Sequence, residues 1–221
     1  MLRDECGLHN KGWETMISET SHSPLRALAL VAALFAALLT SGCGINNIPT
    51  YEQNAKASWS EVLNQYKRRS DLIPNLVETV KGFADQEKSV LTEVIEARAK
   101  ATSVQLPVDK ITDPAAMKAF QDAQGQLTGA LGRLMAVIER YPDIKSGQNF
   151  LALQSALEGT ENRIGIARND YIQAVRVYNT EINTIPGRWW KAFMYPTAKD
   201  MATFEIPAEE QKAPKVDFQK K

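Results

Sequence analysis

Histidine and cysteine supply most nucleophilic, acid–base and soft-metal chemistry, and this 221-residue chain has two of each: His9, His22, Cys6 and Cys43. Neither type recurs after Cys43. From there onward an intrachain disulfide, a Cys/His zinc site and a Ser-His or Cys-His catalytic pair are excluded. A Gly-rich phosphate loop, a Gly-x-Ser-x-Gly elbow and spaced metal motifs are missing too. Carboxylates, guanidinium groups and aromatic rings remain.

The densest polar group is Arg68, Arg69 and Asp71 beside Pro74. One reading makes it a partner or ligand site at a helix bend. The other makes it structural, with Arg69 reaching across to Glu161 or Glu158. The structural reading is preferred because a charge on an apolar seam needs a counter-charge. Glu87, Gln124, Glu161 and Arg168 also fall on or near seams. Inward carboxylates hold metals in di-iron bundles, but those sites use Glu-x-x-His, and no His is present here. The clustered Asp of a calcium loop is missing as well. No metal, no cofactor and no catalytic residue is therefore expected. The second dense feature is Arg188-Trp189-Trp190-Lys191, with Phe193, Met194 and Tyr195 following. Paired Trp between bases suits a membrane interface, where amphipathic rings sit at headgroup level. The same segment also suits folding back over the end of a bundle, and the sequence leaves the two open.

Cys43 has a different chemistry. Ala27 to Leu39 is thirteen apolar residues without a charge, preceded by Arg26 and followed by Thr40-Ser41-Gly42-Cys43. That run is short of the roughly 20 residues that cross a bilayer and suits the core of a secretory signal. Leu39-Thr40-Ser41-Gly42-Cys43 resembles a bacterial lipobox, with Thr40 where Leu is usual. An uncleaved anchor is the alternative. Both place the remainder outside the cytoplasm, since Arg26 lies on the inner side. A lipid on Cys43 would hold the chain on the membrane at about 0.8 kcal/mol per buried methylene. Starting at Met16 instead of Met1 leaves 27 residues before Cys43, a normal signal length.

The elements behind these groups are helices. In steps of four and three, Ala55, Trp59, Val62, Tyr66, Arg69, Ile73, Leu76, Val80, Phe83, Glu87, Val90, Val94, Ala97 and Ala101 form one seam. Its phase survives Pro74, which predicts one bent helix from about Tyr51 to Thr102, with Thr50 as N-cap. A turn at Asp71 to Pro74 is the alternative. Asp113-Pro114 starts a second helix, with a seam of Met117, Phe120, Gln124, Leu127, Leu131, Leu134, Ile138 and Tyr141. Gly125, Gly129 and Gly132 either admit a close neighbour or loosen it. A third helix repeats by sevens through Phe150, Leu157, Ile164, Tyr171, Tyr178 and Ile185, and Pro186-Gly187 stops it. The expected fold is all-α: an elongated antiparallel up-and-down bundle of three long helices, or four if Pro74 breaks the first. The expected organisation is a signal peptide over 1–42, lipidated Cys and tether over 43–50, bundle over 51–186, aromatic segment over 187–206 and disordered tail over 207–221.

Trp59, Tyr66-Lys67-Arg68-Arg69, Asp71-Leu72-Ile73-Pro74-Asn75-Leu76-Val77 and Val80-Lys81-Gly82 resemble the signature of the LemA family. Ala97-Arg98, Glu139-Arg140-Tyr141-Pro142, Phe150, Leu153, Ala167-Arg168 with Tyr171, Tyr178-Asn179 and Ile185-Pro186 extend the likeness, which runs from about Tyr51 to Ile206. The resemblance implies a membrane-associated bacterial protein with a helical bundle after an N-terminal membrane segment. It supplies no catalytic residue. Two departures are Ile172 after Tyr171, where the family commonly has Asn, and the lipobox-like anchor.

The expected function is a lipid-anchored helical module outside a bacterial membrane that binds or scaffolds envelope proteins, and not an enzyme. The rival is an envelope enzyme or accessory subunit using a Glu/Asp pair, which would need a concave site of roughly 300–1,000 Å³. With 26 bases and 26 acids the chain is neutral, against a nucleic-acid partner. Removal of residues 1–42 takes three bases and four acids, leaving 23 and 22.

Overall fold

In the computed structural model the described residues are 28, 44–83 and 87–204. The chain divides into two units, Met1–Cys43 and Gly44–Lys221. The segment expected to be a signal peptide (apart from residue 28), Cys43 and the expected tail over 207–221 lie outside the described residues. Within the second unit the described residues form helices and connecting loops without a strand. The helices are α1 (Asn47–Val80), α2 (Lys88–Ser103), α3 (Pro114–Ile138), α4 (Pro142–Lys145), α5 (Gln148–Asn183) and α6 (Gly187–Met194). At about 1.5 Å per residue, α1 and α5 are each some 50 Å long. They pack along one another, and α2 packs along α3. The pairs Trp59–Tyr171 and Arg69–Glu161 make α1 and α5 antiparallel. The ion pair Glu93–Arg133 and the Ala101–Gln124 hydrogen bond do the same for α2 and α3. The result is the expected up-and-down helical bundle.

The first helix differs from its expectation at both ends. It begins at Asn47 rather than after Thr50, with Ile48 already buried. Pro49 is tolerated because the first turn has no intrahelical use for its missing N–H. Pro74 lies inside α1 and does not end it. The reversal comes after Val80, through a 3₁₀ turn at Lys81–Phe83, and α2 runs back from Lys88. One continuous helix to Thr102 is therefore not formed, and the bundle has four principal helices. The unbroken phase of the seam misled because two antiparallel helices facing one core can share a phase across a turn.

The remaining joins follow their sequence signals. Asp113 caps α3 by accepting from the N–H groups of Ala115 and Ala116 at 2.9 and 3.2 Å. The residues from Met117 to Ile138 expected on the second seam are buried. Gly125, Gly129 and Gly132 face outward: an added Cβ meets nothing within 4 Å at Gly125 or Gly132, and only Arg133 Nη1 at 3.9 Å at Gly129. The close-neighbour reading of these glycines does not hold within this chain. Ile185, expected on the third seam, lies past the end of α5 and is 66% exposed.

Two apolar clusters fill the bundle. One gathers Trp59, Tyr66, Phe120, Tyr171, Tyr178, Met201 and Phe204 with their neighbours. The other gathers Ile73, Leu76, Val80, Val94, Leu127, Leu134 and Phe150 with theirs. In the first, the Trp59 ring centroid lies 5.0 Å from that of Tyr171, 5.3 Å from Phe120 and 5.8 Å from Phe204. Trp59 Nε1 donates to the Leu106 carbonyl at 2.9 Å, so its one polar atom is satisfied inside the core.

Candidate functional site

Arg69 is 1% exposed and lies between the two apolar clusters. Its Nη1 donates to Glu161 Oε1 at 2.8 Å and Thr128 Oγ1 at 2.9 Å. Its Nη2 donates to Gln124 Oε1 at 2.7 Å and the Gln124 carbonyl at 3.3 Å. The guanidinium carbon stands 5.0 Å from the Tyr66 ring centroid. Gln124 Nε2 in turn donates to the Ala101 carbonyl at 3.1 Å. Of the two acceptors proposed for Arg69, Glu161 is the one it reaches.

The same level of the bundle handles Pro74. A proline leaves the carbonyl four residues earlier without its helical N–H. That carbonyl belongs to Ser70, and Arg98 Nε on α2 donates to it at 2.9 Å. Arg69 and Ser70 of α1, Arg98 and Ala101 of α2, Gln124 and Thr128 of α3, and Glu161 of α5 thus make one polar belt across four helices. Buried polar atoms cost free energy unless paired, so sliding any helix by a turn would break several of these bonds at once. The belt fixes register. Both terminal nitrogens of the Arg69 guanidinium are spent on protein acceptors, and its Nε, though unpartnered, is buried away from any ligand's approach.

Electrostatics agree with a closed site. Tyr66 has its phenol pKa raised by burial, against the lowering effect of Arg168 and Arg69. Tyr171 is raised by burial alone, and its hydroxyl donates to the Ala202 carbonyl at 2.8 Å. Arg168 sits over the Phe204 ring at 4.3 Å. These phenols are held neutral.

The other two members of the predicted group do not join the belt. Arg68 is exposed. Asp71 is exposed and pairs with Lys67 at 2.7 Å, a surface pair of little energetic weight. The seam residue Glu87 accepts from Arg140 Nη2 at 2.8 Å and from the Tyr141 hydroxyl at 3.2 Å. Among the described residues no three His, Cys, Asp or Glu side chains stand together as a metal site would need. A cavity of about 340 Å³ is lined by Thr79, Asp143, Ile144, Gly147, Gln148, Asn149 and Phe150. Asp143 is its only carboxylate, so the paired acid and base of a glycosidase-type site are not assembled there.

Trp189 and Trp190 part company. Trp190 packs on the aromatic cluster with Nε1 buried, whereas Trp189 is 57% exposed. Phe193, Met194 and Ile185 are exposed beside it in sequence. The chain beyond α6 returns to the core: Asn179 binds Met201 twice, accepting from its N–H and donating to its carbonyl at 2.9 Å each. The aromatic segment therefore folds back over the bundle end through Trp190, as one of the two readings expected, and leaves Trp189 exposed. The sequence reading gave no role to Arg98, Thr128 or Asn179, although Arg98 and Asn179 lie in the family likeness. The Pro74 spacing also hinted at Arg98, by leaving Ser70 a free carbonyl.

A four-helix up-and-down bundle, cross-braced by one polar belt and closed at one end by an aromatic helix, places the chain in the all-α helical-bundle class. The LemA family model matches residues 58–218, and the chain belongs to the LemA family. It is 29% identical over 205 residues to magnetosome protein MamQ 2 of Paramagnetospirillum magneticum, covering 84% of this chain and 74% of that one. It is 27% identical over 172 residues to magnetosome protein MamQ of Magnetospirillum gryphiswaldense, 71% of this chain and 63% of the relative. Protein LemA of Metamycoplasma hominis is 25% identical over 118 residues, 53% of this chain and half of its own length.

Proposed function

We propose that this protein is a membrane-tethered, non-catalytic module of the bacterial envelope, attached through a lipid on Cys43, whose outer helix faces bind partner proteins. The observation that carries the reading is the place where the chain enters the bundle. A Cβ on Gly44 would lie 3.4 Å from Trp190 Nε1 and 3.8 Å from Pro186 Cγ. Cys43 is the residue before, and the apolar run ends at Leu39. The tether therefore joins the bundle at its α6 end, and α1 and α5 lead away from that attachment. The cavity beside Asp143 has a single carboxylate in its lining, which favours binding over paired acid–base catalysis there.

The test has two parts. Cys43→Ala should move the protein from the membrane fraction to the soluble fraction or leave it as unprocessed precursor, and a palmitate label should be lost with it. Photo-crosslinkers on exposed α5 positions, such as Ile166 and Val177, should then capture the same envelope protein reproducibly in intact cells. Capture of lipid alone would overturn the scaffold reading.

A further inference from the structure

The α6 end carries a surface that the bundle itself does not use. Trp189 and Phe193 are four residues apart, hence on one face of α6, and are 57% and 82% exposed. Ile185 and Met194 flank them at 66% and 53%. Burying a large side chain on folding is the usual use of such residues, and here four within ten positions are left out. The helix is nevertheless fixed, because Trp190 is anchored in the aromatic cluster and Gly187 is locked against Glu181. A rigid helix that presents Trp and Phe outward is a different object from a frayed terminus.

Charge identifies the occupant. Between Glu181 and Asp200 there is no acid, and Arg188, Lys191 and Lys199 are the charged residues. Apolar rings bordered by bases suit the boundary layer of a bilayer with anionic headgroups. Position agrees: α6 stands against Gly44, one residue from Cys43. A second copy fits less well. Four partly exposed side chains offer on the order of 400 Å², given about 150–250 Å² for a whole aromatic. That is half of the roughly 800 Å² per partner in a stable interface.

We infer that the α6 face bearing Trp189 and Phe193 sits in the interfacial layer of an anionic membrane, as a second attachment beside the lipid on Cys43. The inference rests on the tether reading. It turns a single attachment into a two-point mount, so that the bundle has a defined orientation on the membrane. Trp190 and the belt stay out of the lipid.

The experiment uses the full chain reconstituted into vesicles of phosphatidylcholine with phosphatidylglycerol, carrying brominated acyl chains that quench tryptophan on contact. Bromolipid should quench the wild type at least twofold more than Trp189→Phe, while Trp190→Phe keeps the wild-type response. The joint change Arg188→Gln with Lys191→Gln should reduce quenching, as should pure phosphatidylcholine vesicles. A protein that floats with the vesicles through a salt wash but shows no Trp189 quenching overturns the inference and leaves the tether standing. Failure to float overturns both. A photo-crosslinker at Phe193 that joins two protein chains rather than lipid would reassign the face to a second copy and overturn it equally.

Discussion

Arg98 Nε donates to the carbonyl of Ser70 at 2.9 Å, and that carbonyl is the one Pro74 deprives of its helical partner. The bond crosses from α2 to α1 and lets α1 continue through a proline that would otherwise cost about 3 kcal/mol or more. Removing Arg98 should expose that cost. Arg98→Met in the wild type should destabilise by about 1–3 kcal/mol through the unpaired carbonyl. With Pro74→Ala present the helix recovers its own bond, and the same change should cost about 1 kcal/mol less. A double-mutant cycle of urea midpoints measures the coupling; additive costs would show that the two residues act independently.

Arg69 should behave as structure. Arg69→Ala leaves Glu161, Gln124 and Thr128 without their donor and opens a cavity, for an expected loss of about 3 kcal/mol or more. Arg69→Met fills most of the volume and removes the buried charge, so stability should stay within about 1 kcal/mol of wild type. Equilibrium unfolding distinguishes the pair. A stable Arg69→Met protein that no longer captures its crosslinked neighbour would instead make Arg69 functional.

Two glycines should respond in opposite directions to alanine. At Gly132 an added Cβ meets nothing within 4 Å, so Gly132→Ala should stabilise α3 by up to about 1 kcal/mol. At Gly187 it would lie 2.9 Å from the Glu181 carbonyl carbon, so α6 must shift to accept it. Gly187→Ala should therefore speed amide exchange across Gly187–Met194 while α5 stays protected. Thermal midpoints and hydrogen exchange read the two outcomes.

Asn179 ties the chain after α6 to α5 through both polar atoms of its side chain. Asn179→Ala should cost about 2 kcal/mol, the two bonds together. It should also admit proteases near Met201 before the bundle unfolds. Limited proteolysis with mass analysis of the fragments tests this, and a wild-type cleavage pattern would count against the tie.

The buried phenols set an alkaline limit. Burial, with help from Glu52 and Asp200, pushes Tyr178 from its ordinary 10.0 up to about 12. Between those values the unfolded chain has already lost the proton that the folded chain keeps. Stability is therefore full below pH 10 and falls as pH rises toward 12. Tyr171, raised further by burial, adds to the fall. Tyr178→Phe should flatten the slope of unfolding free energy over that window.

The seams show how far one chain carries the argument unaided. The three-four alternation through Trp59, Tyr66 and Ile73, and through Met117, Leu127 and Ile138, names the residues that the bundle buries. Asp113-Pro114 marks the start of α3 because a cap and a first-turn proline act within four residues. The scarcity of His and Cys bounds the chemistry without any coordinates. Periodicity and the Asp113 cap are local, so the sequence alone determined them, together with the family.

Tertiary structure decided what depends on partners far along the chain. The seam's phase carried the helix through Pro74, but not the means: the carbonyl that Pro74 frees is met by Arg98, 24 positions away. The reversal after Val80 was hidden because antiparallel helices share one core. Adjacent Trp189 and Trp190 have one composition and opposite fates, since a helix turns about 100° per residue and Gly44 and the aromatic cluster occupy only one side. Likewise Arg68, Arg69 and Asp71 read as one group, and packing kept only Arg69 for the interior.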